Sequence, residues 1–241
     1  MTKRNCNPLI IALDVACEKE ALSICRLLDN KVDVIKVGLR LFLSVGPEVV
    51  KGINEMGYSV FLDLKLCDIP FQVSGAVEQI VKMNVSMLTV HTIGGLEMMK
   101  EAVRTAQRIC LEENIAKPMI LGVTILTSWD QHQLNELGIG RAMQDQVLYL
   151  ARLAQEAGLD GVVASPKEIR LLRQNLGSDL KIVTPGVRPL WAARNDQKRV
   201  LTPLEAIKAG ADYLVVGRPV LCSEDPTEAV SAIVKEIDKN R

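Results

Sequence analysis

Eight short apolar runs, each followed by a longer amphipathic stretch, alternate along the whole chain. The runs lie at 8–14, 32–38, 59–66, 87–91, 119–126, 161–165, 181–186 and 213–217. Several have β-branched, almost uniformly apolar centres, such as Ile182-Val183 and Leu214-Val215-Val216. Strands of that kind need cover on both faces, as the strands of a parallel sheet have. The stretches at 17–29, 47–56, 70–84, 95–113, 144–157, 166–175, 203–209 and 226–239 carry helical periodicity. Three of them run into Gly57, Gly158 and Gly210 just before the next strand. Glycine there suits a helix C-terminus, where a left-handed residue is needed.

Eight strand–helix units in 241 residues match an α/β chain folded as a (β/α)8 TIM barrel. A doubly wound open sheet is the rival, but no Gly-rich dinucleotide turn follows the first strand. No low-complexity linker interrupts the pattern, so residues 1–241 read as a single domain. The longest irregular stretch, roughly 187–201, follows the seventh strand and is polar in its second half. A long loop at that position is a candidate lid.

Composition narrows the function. The apolar fraction of 48% and charged fraction of 24% are those of an ordinary soluble globular protein. Lys and Arg total 29, as do Asp and Glu, so nothing favours a polyanion and no nucleic-acid partner is expected. A local basic site for one phosphate remains compatible with that balance. Aromatics at 3% offer few platforms for stacking bases. The six cysteines, at 6, 17, 25, 67, 110 and 222, form no Cys-x-x-Cys pair, and there are only two histidines, His91 and His132. No zinc site of the usual spacing, and no metal, is therefore expected. Scattered thiols fit a reduced, cytoplasmic protein. The N-terminal apolar run ends at Asp14, unlike a secretory leader, and no run approaches the ~20 apolar residues of a membrane span.

In such a barrel the active site lies at the C-terminal ends of the strands. Strand one ends at Asp14, strand two carries Lys36, and strand three carries Asp63 and Lys65, with Asp68 just beyond. Residues two apart in a strand share a face, so Asp63 and Lys65 project together. Charges at the end of an apolar strand are costly to bury unless they pair. Lys36, Asp63, Lys65 and Asp68 can form an array of alternating sign that keeps each group ionised. A structural ion-pair network is the bland alternative, and four charges on adjacent strand ends favour function over it.

Arg188 follows strand seven, and Gly217-Arg218 follows strand eight, where phosphate sites recur in this fold. Gly217 would admit an anion close to the backbone and Arg218 would supply charge. Asp14 could accept hydrogen bonds from ribose hydroxyls or merely cap a turn. His91 reads as a hydrogen-bonded structural histidine, His132 as a surface residue, and Cys67 as a packed small residue.

The segment Asp63-Leu64-Lys65-Leu66-Cys67-Asp68-Ile69-Pro70 resembles the signature of the orotidine 5'-monophosphate decarboxylases. The likeness extends through Ala12-Leu13-Asp14, Lys36-Val37-Gly38, Val90-His91-Thr92-Ile93-Gly94-Gly95, Leu126-Thr127-Ser128, Thr184-Pro185-Gly186-Val187-Arg188-Pro189, Asn195-Asp196-Gln197 and Val216-Gly217-Arg218-Pro219. Related sugar-phosphate enzymes share the central motif, whereas the ordered combination is specific. The resemblance implies decarboxylation of orotidine 5'-monophosphate to UMP without a cofactor. Lys65 would give a proton to C6 of the pyrimidine, and Asp63 would lie beside the leaving carboxylate. Lys36 and Asp68 would complete the array, with Asp68 entering the site of the other subunit of a homodimer. Asp14 and Lys36 would bind ribose, and Thr127 and Gln197 the base or its surroundings. Arg188, Gly217 and Arg218 would hold the phosphate. One departure stands out: many members continue Ile-Pro-Asn-Thr, where this chain has Ile69-Pro70-Phe71-Gln72.

Two other functions compete. Magnesium-dependent sugar-phosphate enzymes share the central motif but resemble one another in an acidic residue on strand two, where this chain has Lys36, a cation that opposes a metal. A non-catalytic nucleotide-binding protein would have no need of the full charged set.

Overall fold

The structure, a computed structural model, describes residues 7–192 and 201–238. Eight parallel strands close into a barrel in sequence order: β1 (Leu9–Leu13), β2 (Val34–Gly38), β3 (Ser59–Leu66), β4 (Met87–His91), β5 (Met119–Val123), β6 (Gly161–Val163), β7 (Lys181–Pro185) and β8 (Tyr213–Val216). The seam between the ends of the sheet pairs Leu9 with Leu214 and Ile11 with Val216. The doubly wound alternative is thereby excluded: a closed sheet has no open edge and no point at which the strand order reverses.

The helices expected from periodicity are α1 (Glu18–Leu28), α3 (Glu48–Glu55), α4 (Pro70–Lys82), α5 (Leu96–Glu113), α7 (Met143–Glu156), α8 (Ile169–Leu176), α9 (Pro203–Ala209) and α11 (Pro226–Asp238). Three short ones join them: α2 (Leu39–Val45), α6 (Gln131–Glu136) and α10 (Arg218–Leu221). Local chemistry sets several boundaries. Pro70 opens α4, where its missing N–H costs nothing, and it holds Ile69 extended. Asp130 with Gln133 and Thr202 with Glu205 form capping boxes at α6 and α9. Among the described residues no helix is long and apolar enough to cross a membrane.

The barrel has two cores. The larger lies between the strands and the surrounding helices and includes Leu9, Ile11, Ile35, Leu62 and Leu88. The smaller fills the barrel interior with Ile10, Ala12, Val34, Phe61, Met87, Leu121, Val123, Val163, Val183 and Val215. Side chains alternate along each strand, so one parity faces inward. Following that parity toward the strand ends, apolar layers give way to Asp14, Lys36, Asp63, Lys65, Thr89 and His91. The apolar plug thus ends where the polar mouth begins.

Candidate active site

Lys36 is seated by its neighbours. A Cβ at Gly38, two residues on, would stand 3.1 Å from the Lys36 Nζ, so the glycine clears space for the ammonium. That ammonium lies 3.4 Å from Oδ2 of Asp63 and 3.8 Å from Oδ1 of Asp14. Both Lys36 and Asp63 are nearly enclosed, with side chains 11% and 12% exposed, whereas Asp14 is open to solvent. From the other side, the Lys65 ammonium donates to both carboxylate oxygens of Asp63 at 2.9 Å. Asp63 is therefore gripped between two lysines. Burial alone would push its carboxyl up; the attraction of Lys36 and Lys65, with hydrogen bonds from Lys65 and Thr89, outweighs burial and holds it below the ordinary value.

Simple strand alternation does not produce this arrangement unaided. The β3–β4 register runs from Leu62 opposite Leu88 to Leu66 opposite Val90, so β3 carries two extra residues there. Within this irregularity Lys65 adopts a left-handed backbone, φ 53°. For a residue with a Cβ that conformation costs about 1–2 kcal/mol. Such strain persists where surrounding groups fix it, and it concentrates at functional sites.

Beside the charges stand apolar side chains. A cavity at the barrel mouth is lined by the charged Lys36, Asp63 and Lys65, by the apolar Val123, Ile125, Leu126, Val163 and Val215, and by Thr127. Low-polarity walls strengthen the field of fixed charges acting on anything bound between them. Thr124 is turned away, its hydroxyl donating to the Val163 carbonyl at 3.2 Å, so Thr127 rather than Thr124 faces the cavity.

At the β8–β1 seam, a Cβ on Gly217 would stand 3.3 Å from Oδ2 of Asp14 and 3.5 Å from the Ala12 carbonyl. The glycine thus permits a close approach to the end of β1. Arg218 opens α10 and is exposed; Arg188, half-buried, follows β7, its N–H donating to the Leu201 carbonyl at 3.1 Å. Gln197 and most of the second half of the expected lid lie outside the described residues.

Asp68 is the expected member that the chain does not bring into its own array. It is exposed, and its Oδ1 accepts from the N–H of Ile69 at 2.6 Å. Two further expectations need correction. Cys67 is exposed rather than packed, because it lies past the last residue of β3. His91 lacks the hydrogen bond expected of a structural histidine: its Nδ1 is buried without a partner among the described residues. Burial first, and the Lys65 charge second, lower the His91 pKa from 6.5. His132 is on the surface as expected.

Sequence reasoning passed over Thr89. It is 1% exposed, accepts from the Lys65 N–H at 2.8 Å and donates to Oδ1 of Asp63 at 3.0 Å. The usable signal was parity, since Thr89 sits between Met87 and His91 on the inward face of β4.

A barrel whose mouth carries alternating charges beside apolar walls has the layout of an enzyme's active site. The chain belongs to the orotidine 5'-phosphate decarboxylase / HUMPS family, whose profile matches residues 7–233. It is 46% identical over 232 residues to the orotidine 5'-phosphate decarboxylase of Dictyoglomus turgidum, covering 96% of this chain and 95% of that one. It is 48% identical over 229 residues to that of Syntrophotalea carbinolica, covering 95% and 94%. Among solved structures, it is similar to the orotidine 5'-phosphate decarboxylase of Lactobacillus acidophilus, with a TM-score of 0.85 at 37% identity, covering 96% of this chain and 99% of that one.

Proposed function

We propose that this barrel decarboxylates orotidine 5'-monophosphate to UMP and carbon dioxide, the last step of de novo UMP synthesis, with neither metal nor organic cofactor. The observation that carries the reading is the Asp63 carboxylate held between Lys36 and Lys65 at the barrel mouth. When the C6–carboxylate bond breaks, its electron pair stays on C6, where the ring delocalises it poorly. Fixed ammonium charge stabilises that developing carbanion without reorganisation. Lys65 then gives a proton to C6, and solvent returns one to the lysine. Asp63, kept ionised, repels the substrate carboxylate placed beside it, and carbon dioxide departs as a neutral molecule.

The rest of the substrate supplies binding energy. Arg188, Gly217 and Arg218 are suited to the phosphate, Asp14 and Lys36 to ribose, and Thr127 to the pyrimidine edge. Remote binding of this kind can be spent on holding the reacting carboxylate against Asp63. Lys36, at the position where magnesium-dependent relatives are expected to carry an acid, opposes a divalent ion.

A homodimer fits the same site. Asp68 is exposed, and large apolar side chains are exposed on the connections that follow β2, β3 and β4: Leu39 and Leu43 of α2, Ile69, Phe71 of α4, and Ile93 in the turn after β4. Exposed apolar side chains on neighbouring strand-end connections suit an interface. A second copy of the chain covering them would bring Asp68 toward the neighbouring Lys65. The free cysteines Cys17, Cys25, Cys67, Cys110 and Cys222 suit a reducing cytoplasm.

The test is loss of orotidine 5'-monophosphate absorbance with purified protein in EDTA. Turnover to UMP is expected. Folded protein that binds UMP without turnover would make it a nucleotide binder. Inactivity cured by magnesium and a sugar phosphate would move it to the metal-dependent branch.

A further inference from the structure

We infer that Thr89 is the positioning residue that sets the geometry of the Asp63–Lys65 pair. The role rests on the decarboxylase reading above and deepens it.

The argument begins with a backbone defect. The shift of register in β3 takes the Lys65 N–H out of the regular β3–β4 ladder, in a residue whose φ is already left-handed. A buried N–H needs an acceptor. The Thr89 hydroxyl provides it at 2.8 Å, from the strand that would otherwise have offered a carbonyl.

A threonine hydroxyl has one hydrogen and two lone pairs. An N–H can only donate, so one lone pair is committed to Lys65 and the hydrogen is free to point elsewhere. It meets Oδ1 of Asp63 at 3.0 Å, and an ionised carboxylate can only accept. The direction of both bonds is therefore fixed. One oxygen ties the backbone of the ammonium-bearing residue to the carboxylate that its side chain grips.

The side chain is suited to such a clamp. Thr89 is held on the inward face of β4, and a β-branched residue in a strand has little freedom about χ1. The hydroxyl is therefore aimed before substrate arrives. Thr89 is 1% exposed and is not among the residues that line the cavity. Its effect passes through the placement of Asp63 and Lys65, and the cost of misplacing reacting groups falls on the chemical step.

The experiment compares full-length wild type, Thr89→Val and Thr89→Ser. Valine keeps the shape and removes the hydroxyl; serine keeps the hydroxyl. For Thr89→Val we expect kcat lower by roughly ten- to a hundredfold, with KM and UMP affinity changed less than about threefold. The acid limb of the rate profile should move to higher pH, because Asp63 loses a bond that favours its anion. Thr89→Ser should recover most of kcat. The Lys65 amide hydrogen should exchange at least about tenfold faster in Thr89→Val than in wild type. Wild-type kcat in Thr89→Val would overturn the proposal, as would equal impairment of the serine variant, or parallel loss of UMP affinity and thermal stability. Should wild type fail to decarboxylate orotidine 5'-monophosphate while the amide still exchanges faster in Thr89→Val, the clamp would stand and the reaction assigned to it would fall.

Discussion

The Lys65 ammonium lies 2.9 Å from each carboxylate oxygen of Asp63. The contact is bidentate, and the lysine that makes it has a left-handed backbone. The strained residue and the charge-bearing residue are thus the same one. Asp63 thus engages the ammonium proposed as the proton donor, and Lys36 at 3.4 Å gives the same carboxylate a second cation.

Replacing Lys65 with Ala removes the proposed proton donor and leaves Asp63 paired with Lys36. Turnover should fall by at least about a thousandfold, at or beyond the upper end of what loss of one preorganised donor costs. The circular dichroism spectrum should stay that of wild type, because the Lys65 side chain lies at the mouth and outside both apolar cores. A Lys65→Ala enzyme with wild-type turnover would remove the assignment.

Arg218 stands at the phosphate end of the proposed site. For Arg218→Ala, loss of a charge-assisted contact of about 1.5–3 kcal/mol corresponds to roughly a 10- to 150-fold fall in kcat/KM. UMP affinity should fall with it, while the affinity of uridine, which has no phosphate, should not change. Equal weakening of both ligands would place Arg218 elsewhere in the mechanism.

The eight-unit pattern is legible because strand and helix differ in period and each unit repeats the contrast. Strand ends were legible too, since Asp14, Lys36, Asp63 and Lys65 interrupt apolar runs. The register shift in β3 left no mark, because no glycine stands at Lys65 to announce a positive φ. Thr89 escaped because threonine is an ordinary strand residue, and only its inward parity distinguishes it. Helix α2 escaped because Leu39 and Leu43, at 50% and 79% exposure, face away from the core and blur the helical pattern. Spacing put Asp68 in the array with Lys36, Asp63 and Lys65, and the family resemblance implied the neighbouring subunit's site; in the structure Asp68 is exposed and accepts from the N–H of Ile69.

The imidazole of His91 should titrate below pH 6.5. Burial and the facing Lys65 both disfavour its charged form. A depressed folded-state pKa makes its contribution to stability complete above about 6.5 and lost as pH falls through the lower folded-state value. Only two histidines occur, so His91→Asn assigns the signal in a carbon or proton NMR titration. A midpoint at or above 6.5 would contradict the burial of an Nδ1 that has no partner among the described residues.

Stability at the opposite end of the barrel should separate from catalysis. Arg173 of α8 donates to the carbonyls of Gly177, Leu180 and Gly210 and pairs with Asp212, which also accepts from Lys181 and the N–H of Ile182. Arg173→Ala leaves Asp212 with weaker partners and removes the side-chain donor to three carbonyls, two of them part-buried. Denaturant unfolding should show a loss of about 2–4 kcal/mol, while kcat at a temperature where the variant is folded stays within about twofold of wild type. A catalytic defect in fully folded Arg173→Ala would mean that the two ends of the barrel are coupled.

Asp68 offers the sharpest test of the dimer. If it completes the site of the neighbouring subunit, Lys65→Ala and Asp68→Ala homodimers are each inactive for a different reason. Exchange of subunits between them gives mixed dimers in which one site combines the Lys65→Ala chain with Asp68 lost, and the other is intact. With random exchange, half of the dimers are mixed and one site in two works in each, so activity should return to about a quarter of wild type. Substituting Leu43→Lys in both chains should weaken the dimer by burying a charge in the apolar patch, and should lower the recovery at dilute protein. No recovery on mixing, with subunit exchange demonstrated by mass-tagged chains, would place Asp68 in its own subunit's site or in none.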